Sequence, residues 1–343
     1  MRRASLAALV ALAACNTSSP QQHAQYPQPY PPGQYPPGQY PPGQYPPGQA
    51  PPGYPQPQPS ATQPQPQPQP TAPARPLLPP LSGAAAWQQE VRNVLVELVN
   101  NLSAANQAKV RGIPLVFDQN PNEVNAFAGC DDQGAPFIAG TEGLLEAVDA
   151  MSQTRATDEL FRTQTYEAYL QYVAPRLVQK GGSSAALPGG IVPNQYWADP
   201  ARLSRAHEIF DEIIAFTFGH ELGHHYLGHT GCANGQASGG PNPAQIGQLF
   251  TRVLPGLNQP NEAAADVAGA INTLDAGRAR ASVGYRWTEA GGLTLLDFFG
   301  RLERAAGISP LNPIGFLQSH PNPALRIPIV QTTAATWRMQ HPG

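Results

Sequence analysis

The stretch "FGHELGHHYLGH", residues 218–229, holds four histidines and a glutamate in a chain that has eight histidines in all. Residues four apart on a helix lie about 40° apart around its axis, so His220 and His224 share a face and can point at one ion. Imidazole nitrogen suits zinc. Glu221 sits beside the first histidine, near enough to take a proton from a water on such an ion without being a ligand. On a continuous helix His225 lies about 140° from His220 and His229 about 180°, so neither joins that ion unless the helix breaks. Both read as structural or surface residues. A structural zinc would want a closed, cysteine-rich shell of four ligands, and Cys15, Cys130 and Cys232 cannot supply one near this helix. The constellation therefore reads as chemistry.

His-Glu-x-x-His is the arrangement of zinc metallopeptidases, and a catalytic zinc usually takes three protein ligands and leaves one position open. The metzincin pattern would need glycine at 227 and histidine at 230, where this chain has Leu227 and Thr230. The best third ligand lies in "NEAAADVAG", residues 261–269, where Glu262 and Asp266 are four apart on one helical face. Glu262 suits a ligand and Asp266 a hydrogen-bond partner that orients a histidine. Otherwise that face carries small residues, which lets the helix come close to another backbone. Two solvated surface acids are the bland alternative.

These residues need elements to position them. A helix over about 203–228 carries the histidines, with Ile213, Thr217, His220 and His224 in one stripe and Phe210, Ile214 and Phe218 alongside. Apolar spacing predicts further helices at 84–108, 142–153, 157–175, 243–254, 260–277, 288–306 and 322–338. Strand-like runs occur at 113–118, 123–129 and 136–140. The expected fold class is α+β, mostly α-helical and zincin-like, with a small sheet or hairpin beside the histidine helix.

Composition divides the chain. Residues 1–15 read as a signal peptide, with Arg2 and Arg3 before an apolar run too short to span a bilayer. That run ends in Leu12-Ala13-Ala14-Cys15, which resembles the lipobox of bacterial lipoproteins and implies lipidation of Cys15. Asn16 after the cysteine implies the outer membrane, facing the periplasm. Residues 16–82, with repeats of "PPGQY", lack the aliphatic side chains to build a core and read as a disordered linker. At about 3.1 Å per residue in polyproline II, some 65 residues could reach about 200 Å. Residues 83–343 form the catalytic domain, and no later stretch is long and apolar enough to span a membrane. Net charge is −3 with no basic run, so nucleic acid has no electrostatic footprint here. Cys130 and Cys232 remain as a disulfide or as two buried thiols.

Four blocks resemble the gluzincin peptidase family of the CaaX prenyl protease and the heat-shock protease HtpX. They are the His220–His224 motif with His229 five residues on, Glu262-Ala263-Ala264-Ala265-Asp266, "NAFA" at 125–128 with "PFIAGTEGLL" after it, and "SHPNPALRI" at 319–327. The resemblance implies one zinc held by His220, His224 and Glu262, with Glu221 as general base and Asp266 behind a ligand. It implies that Asn125, Ala126, Phe127 and Ala128 lie on an edge strand that pairs with an extended substrate. It also implies that His320 stabilises the oxyanion and that Arg326 is a structural clamp. A Cys130–Cys232 bridge would then pin the substrate strand to the zinc helix. The turn "GCDDQGA" departs from the family's Leu-Pro-Gly-Gly and leaves the shape of the groove open.

The expected protein is a lipid-anchored zinc endopeptidase acting on unfolded or misassembled envelope proteins. Two rivals are a chaperone-like or scaffolding lipoprotein with latent activity, and a protein whose working part is the Tyr/Pro/Gln tract.

Overall fold

The computed structural model describes residues 76–179, 183–232, 259–280, 284–307 and 323–342. The signal, most of the linker, the helix expected at 243–254, Cys15 and His320 lie outside these residues. In chain order the elements are α1 (Ala84–Asn101), α2 (Ala104–Val110), β1 (Leu115–Asp118), β2 (Ala126–Cys130), β3 (Pro136–Thr141), α3 (Glu142–Phe161) and α4 (Thr165–Leu177). They continue with α5 (Asn194–Trp197), α6 (Pro200–Tyr226), α7 (Gln259–Ala279), α8 (Ala290–Ala306) and α9 (Pro323–Gln340). The architecture is α+β and mostly helical, with one small sheet.

α6 is the axis of the domain. Every residue from Ala206 to His224 is buried, because α1, α3, α7, α8 and the sheet pack on different sides of it. The sequence pattern suggested a single inward stripe; burial all round explains why Phe210, Ile214, Phe216 and Phe218 do not fall on one face. Its start is set by Asp199, whose side chain accepts from the Arg202 N–H at 2.8 Å, followed by Pro200 at the first helical position.

The sheet has the order β1-β3-β2, with β1 parallel and β2 antiparallel to β3. β2 and β3 form a hairpin that pairs Phe127 with Ala139 and Cys130 with Pro136. Asp131 makes the turn by accepting from the Gln133 and Ala135 N–H groups at 2.9 and 2.8 Å. β2 starts at Ala126, three residues later than the sequence pattern suggested, since Val124 and Asn125 approach the sheet outside the ladder. Asn125 is held there by its N–H to Thr141 Oγ1 at 3.0 Å.

Several boundaries differ from expectation for identifiable reasons. The helix expected at 84–108 is two helices, broken at Leu102, with Ser103 Oγ capping α2 at Asn106 N–H, 3.3 Å away. The break expected near 154–156 lies instead at Arg162, in left-handed conformation with φ 55°. Residues 152–157 stay within the buried helix without leaving hydroxyls unpaired, since Ser152, Thr154 and Thr157 turn theirs onto carbonyls one turn back. Contacts with the domain also begin before Gly83: the Leu78 N–H donates to Ser204 Oγ at 2.9 Å. Among the described residues no helix is long and apolar enough to cross a membrane.

Asp158 joins α3 to α4, accepting from Thr165 N–H at 2.7 Å, Tyr166 N–H at 3.0 Å and the hydroxyls of Thr163 and Thr165 at 2.7 and 2.9 Å. Asp158→Ala strands two helix-start donors and should cost about 1–3 kcal/mol. Urea denaturation should show a lower midpoint with an unchanged slope. An unchanged midpoint would mean that water replaces the carboxylate without loss.

Candidate metal centre

His220, His224 and Glu262 converge, each at most 3% exposed. The two Nε2 atoms are 3.0 Å apart. Glu262 Oε2 lies 3.5 Å from His220 Nε2, and Oε1 lies 3.3 Å from His224 Nε2. Two ligands of a tetrahedral zinc at its usual bond lengths are about 3.3–3.4 Å apart, so these donor separations suit one ion of that size. The donor set, two imidazoles and a carboxylate, is equally suited to zinc.

α7 brings Glu262 to the histidines by crossing α6 on small residues. A Cβ at Gly269 would stand 3.0 Å from His220 N and 3.1 Å from His220 Cβ. One at Gly223 would stand 2.8 Å from Ala268 Cβ. Asn272 locks the crossing, donating from Nδ2 to the Gly219 carbonyl at 2.9 Å and sharing a hydrogen bond with the Tyr226 hydroxyl. The run of small side chains around Glu262 therefore sets the distance between the two helices.

Each histidine is aimed by its second nitrogen. His220 Nδ1 lies 3.1 Å from Asp266 Oδ1, a carboxylate that can only accept, so Nδ1 carries hydrogen. Burial disfavours a charge on His220, but hydrogen bonds to Asp266 and Glu262 outweigh it and raise its pKa to about 9. Burial pushes His224 down to about 4. A cation at these atoms thus competes with a proton on His220 and finds His224 already neutral. Arg326 closes the arrangement, donating to Asp266 from Nε at 2.7 Å and from Nη2 at 2.6 Å, with Nη1 3.3 Å from Glu262 Oε2. Although burial opposes charge on Asp266, this guanidinium holds its carboxyl below the usual range.

His229 was not singled out for the site, and the structure brings it there. α6 ends at Tyr226, and Gly228 at φ 81° reverses the chain, so that His229 N–H reaches the His224 carbonyl at 2.9 Å. Its Nδ1 lies 3.0 Å from His224 Nδ1 and so fixes that ring from behind. The wheel placed His229 opposite His220 on a continuous helix; the helix stops first, as Leu227-Gly228 signalled, and His229 takes a structural place behind His224 outside the three donors. His225 points elsewhere, with Nε2 donating to the Phe137 carbonyl at 2.9 Å, and so ties α6 to β3.

Glu221 follows His220 on α6 and is 2% exposed. Among the described residues β2, with Ala126, Phe127 and Ala128, is one of the two strands flanking β3, and it lies against α6. Asn125 immediately precedes it and is buried. Cys130, at the end of β2, is disulfide-bonded to Cys232 beyond α6, with the two Cα atoms 5.5 Å apart. The bridge joins the hairpin to the segment that follows the two histidines.

A family model described as Peptidase family M48 matches residues 86–334, a span that contains every residue of the donor cluster. No curated protein and no solved structure gives a significant match.

Gly269→Ala pushes the added methyl group against the His220 backbone and should move α7 away from α6. Overpacking of this kind typically costs about 1–3 kcal/mol, and about one power of ten in zinc affinity is expected if the strain falls on Glu262. Competition with a chromophoric chelator reads this out. Parent-like affinity would show that the crossing has slack.

Proposed function

The chain belongs to peptidase family M48, and on that premise we propose that it is a zinc-dependent endopeptidase of unfolded or misassembled cell-envelope proteins, tethered by a lipid on Cys15. Membership of a family that is generally zinc-dependent makes the protein a metallopeptidase acting on polypeptides. The observation that supports zinc-dependent peptide hydrolysis is the meeting of His220, His224 and Glu262 with donor separations of 3.0 to 3.5 Å, with Glu221 next to His220 on the same helix.

When bound there, zinc would lower the pKa of a water and polarise the scissile carbonyl. His220, His224 and Glu262 would hold it, and Asp266 and His229 would keep the two rings in their ligating orientation. Glu221 accepts the proton of the attacking water and passes it to the departing amine. Its burial supports this role, because a carboxylate in a water-poor site is kept from bulk solvent until substrate arrives. His320, in the role its motif suggests, donates a hydrogen bond to the developing oxyanion. An extended substrate adds alongside β2, so main-chain hydrogen bonds supply most of the recognition and the sequence preference is broad.

The arginine-started apolar run and the lipobox-like Leu12–Cys15 favour export and lipidation, and Asn16 favours the outer membrane facing the periplasm. The linker ahead of Leu78, which already contacts the domain, then acts as a spacer that lets the peptidase domain reach substrates well away from the anchor.

Casein hydrolysis by the purified mature chain with zinc is the direct test, beside Glu221→Gln. Loss of the general base should lower the rate by about 10²–10⁴ while the zinc content matches the parent's. Equal rates in both proteins would remove Glu221 from the mechanism. If both were inert with zinc bound, the chaperone-like reading would replace this one.

A further inference from the structure

A second set of donor atoms converges near the other end of α6. His207 and Asp211 are four apart on that helix, as His220 and His224 are, and Glu90 reaches them from α1. The site lies about 20 Å along the helix from the first, at 1.5 Å per residue. His207 Nε2 is 3.5 Å from Glu90 Oε1 and 3.6 Å from Asp211 Oδ1. These separations are long for hydrogen bonds. They are close to those of two ligands around one ion at about 2.1 Å.

Each donor is prepared by the atom behind it. His207 Nδ1 lies 2.7 Å from the Pro79 carbonyl, which can only accept, so Nδ1 carries hydrogen. Burial lowers the pKa of His207, but Glu90, Asp211 and the Pro79 carbonyl raise it overall, so a cation at Nε2 would compete with a proton there and take up the tautomer that a metal requires. Asp211 is 1% exposed, and its Oδ2 accepts from the Tyr285 hydroxyl. Its Oδ1, the atom that faces His207, is buried and accepts no hydrogen bond. Burial, with Glu90 beside it, pushes the Asp211 carboxyl up to about 8: a buried carboxylate oxygen left without a donor is costly, so a proton or a cation meets it. Glu90 is oriented by Asn93 Nδ2, which donates to its other oxygen at 3.0 Å.

Glu90, Asp211 and Glu97 face this region, and Arg280 is the cation beside them, with Nη2 3.8 Å from Asp211 Oδ2 and Nη1 engaged by Glu97. We propose that Glu90, His207 and Asp211 form a second zinc site, with three protein ligands and an open position rather than a closed cysteine shell, that fastens α1 and the Pro79 segment to the helix carrying the catalytic ligands. An imidazole with two carboxylates suits zinc. The Glu90 side chain, 19% exposed, leaves an approach for water as a fourth ligand.

None of these residues belongs to the catalytic set, so the proposal stands or falls apart from the peptidase reading. The test is zinc content, by native mass spectrometry or elemental analysis, of the full mature chain stripped with chelator and reloaded with zinc alone. The parent should hold two ions per chain. Asp211→Asn, His207→Gln and His224→Ala should each hold one, and Asp211→Asn combined with His224→Ala none. Zinc should raise the melting temperature of His224→Ala and leave that of the double variant unchanged. Should the single variants at 207 and 211 not fold, anomalous diffraction from parent crystals at the zinc edge decides. A peak between Glu90, His207 and Asp211 supports the site. A peak at His220 and His224 alone overturns it and leaves a protonated His207 bridging the two carboxylates, as does a second ion that persists in both Asp211→Asn and His207→Gln.

Discussion

The closeness of α6 and α7 is the constraint on which the rest depends. Glu262 has a short side chain, and its carboxylate meets His220 and His224 only because Gly223 and Gly269 let the two backbones nearly touch. Apolar side chains at those positions would bury more surface and be worth more by area alone. They would also hold the helices at an ordinary 8–10 Å, roughly, between axes, and the third donor would miss. The chain forgoes packing energy at this crossing in return for geometry, and Asn272 offsets part of the loss with hydrogen bonds to Gly219 and Tyr226.

Such a crossing gathers charge where water is scarce. Glu262 and Asp266 are each at most 1% exposed, and buried carboxylates are tolerated only when paired. Arg326 supplies the pairing from α9, with a planar fork that meets both oxygens of Asp266 and still reaches Glu262. A lysine could match the charge but not the two parallel contacts. The guanidinium therefore does more than neutralise: it fixes the Asp266 plane, which fixes His220, which fixes one donor at the metal position.

What the sequence made legible follows from which of these relations are local. His220 with His224, and Glu262 with Asp266, are four apart on single helices, so spacing alone reveals a shared face. The small residues flanking Glu262 announced a close approach, and the structure shows it against Gly223 and His220. His229 reads as structural, but its place behind His224 was not legible, because the wheel describes a continuous helix, whereas α6 ends at Tyr226 and Gly228 turns the chain back. The Glu90–His207–Asp211 cluster was invisible for another reason. Glu90 lies 117 residues before His207, and the histidine owes its tautomer to a proline carbonyl inside a segment that reads as linker.

The polar residues of α6 explain how a helix buried on all sides keeps one orientation. Apolar packing is tolerant of small rotations, since one methyl group substitutes for another. Directional bonds are not. Arg202 is held by carbonyls of Tyr196 and Trp197 and by Gln153, His207 by Pro79, and Glu212 by the N–H and hydroxyl of Thr288. His225 is held by Phe137, and the Gly219 carbonyl by Asn272. These partners come from six separate stretches of chain, distributed along the helix and around its circumference. A slip of one residue would turn every side chain by about 100° and break all of them together. The same slip would carry His220 and His224 away from Glu262, so the buried polar contacts hold the donor atoms in register even though most of them lie far from the metal position.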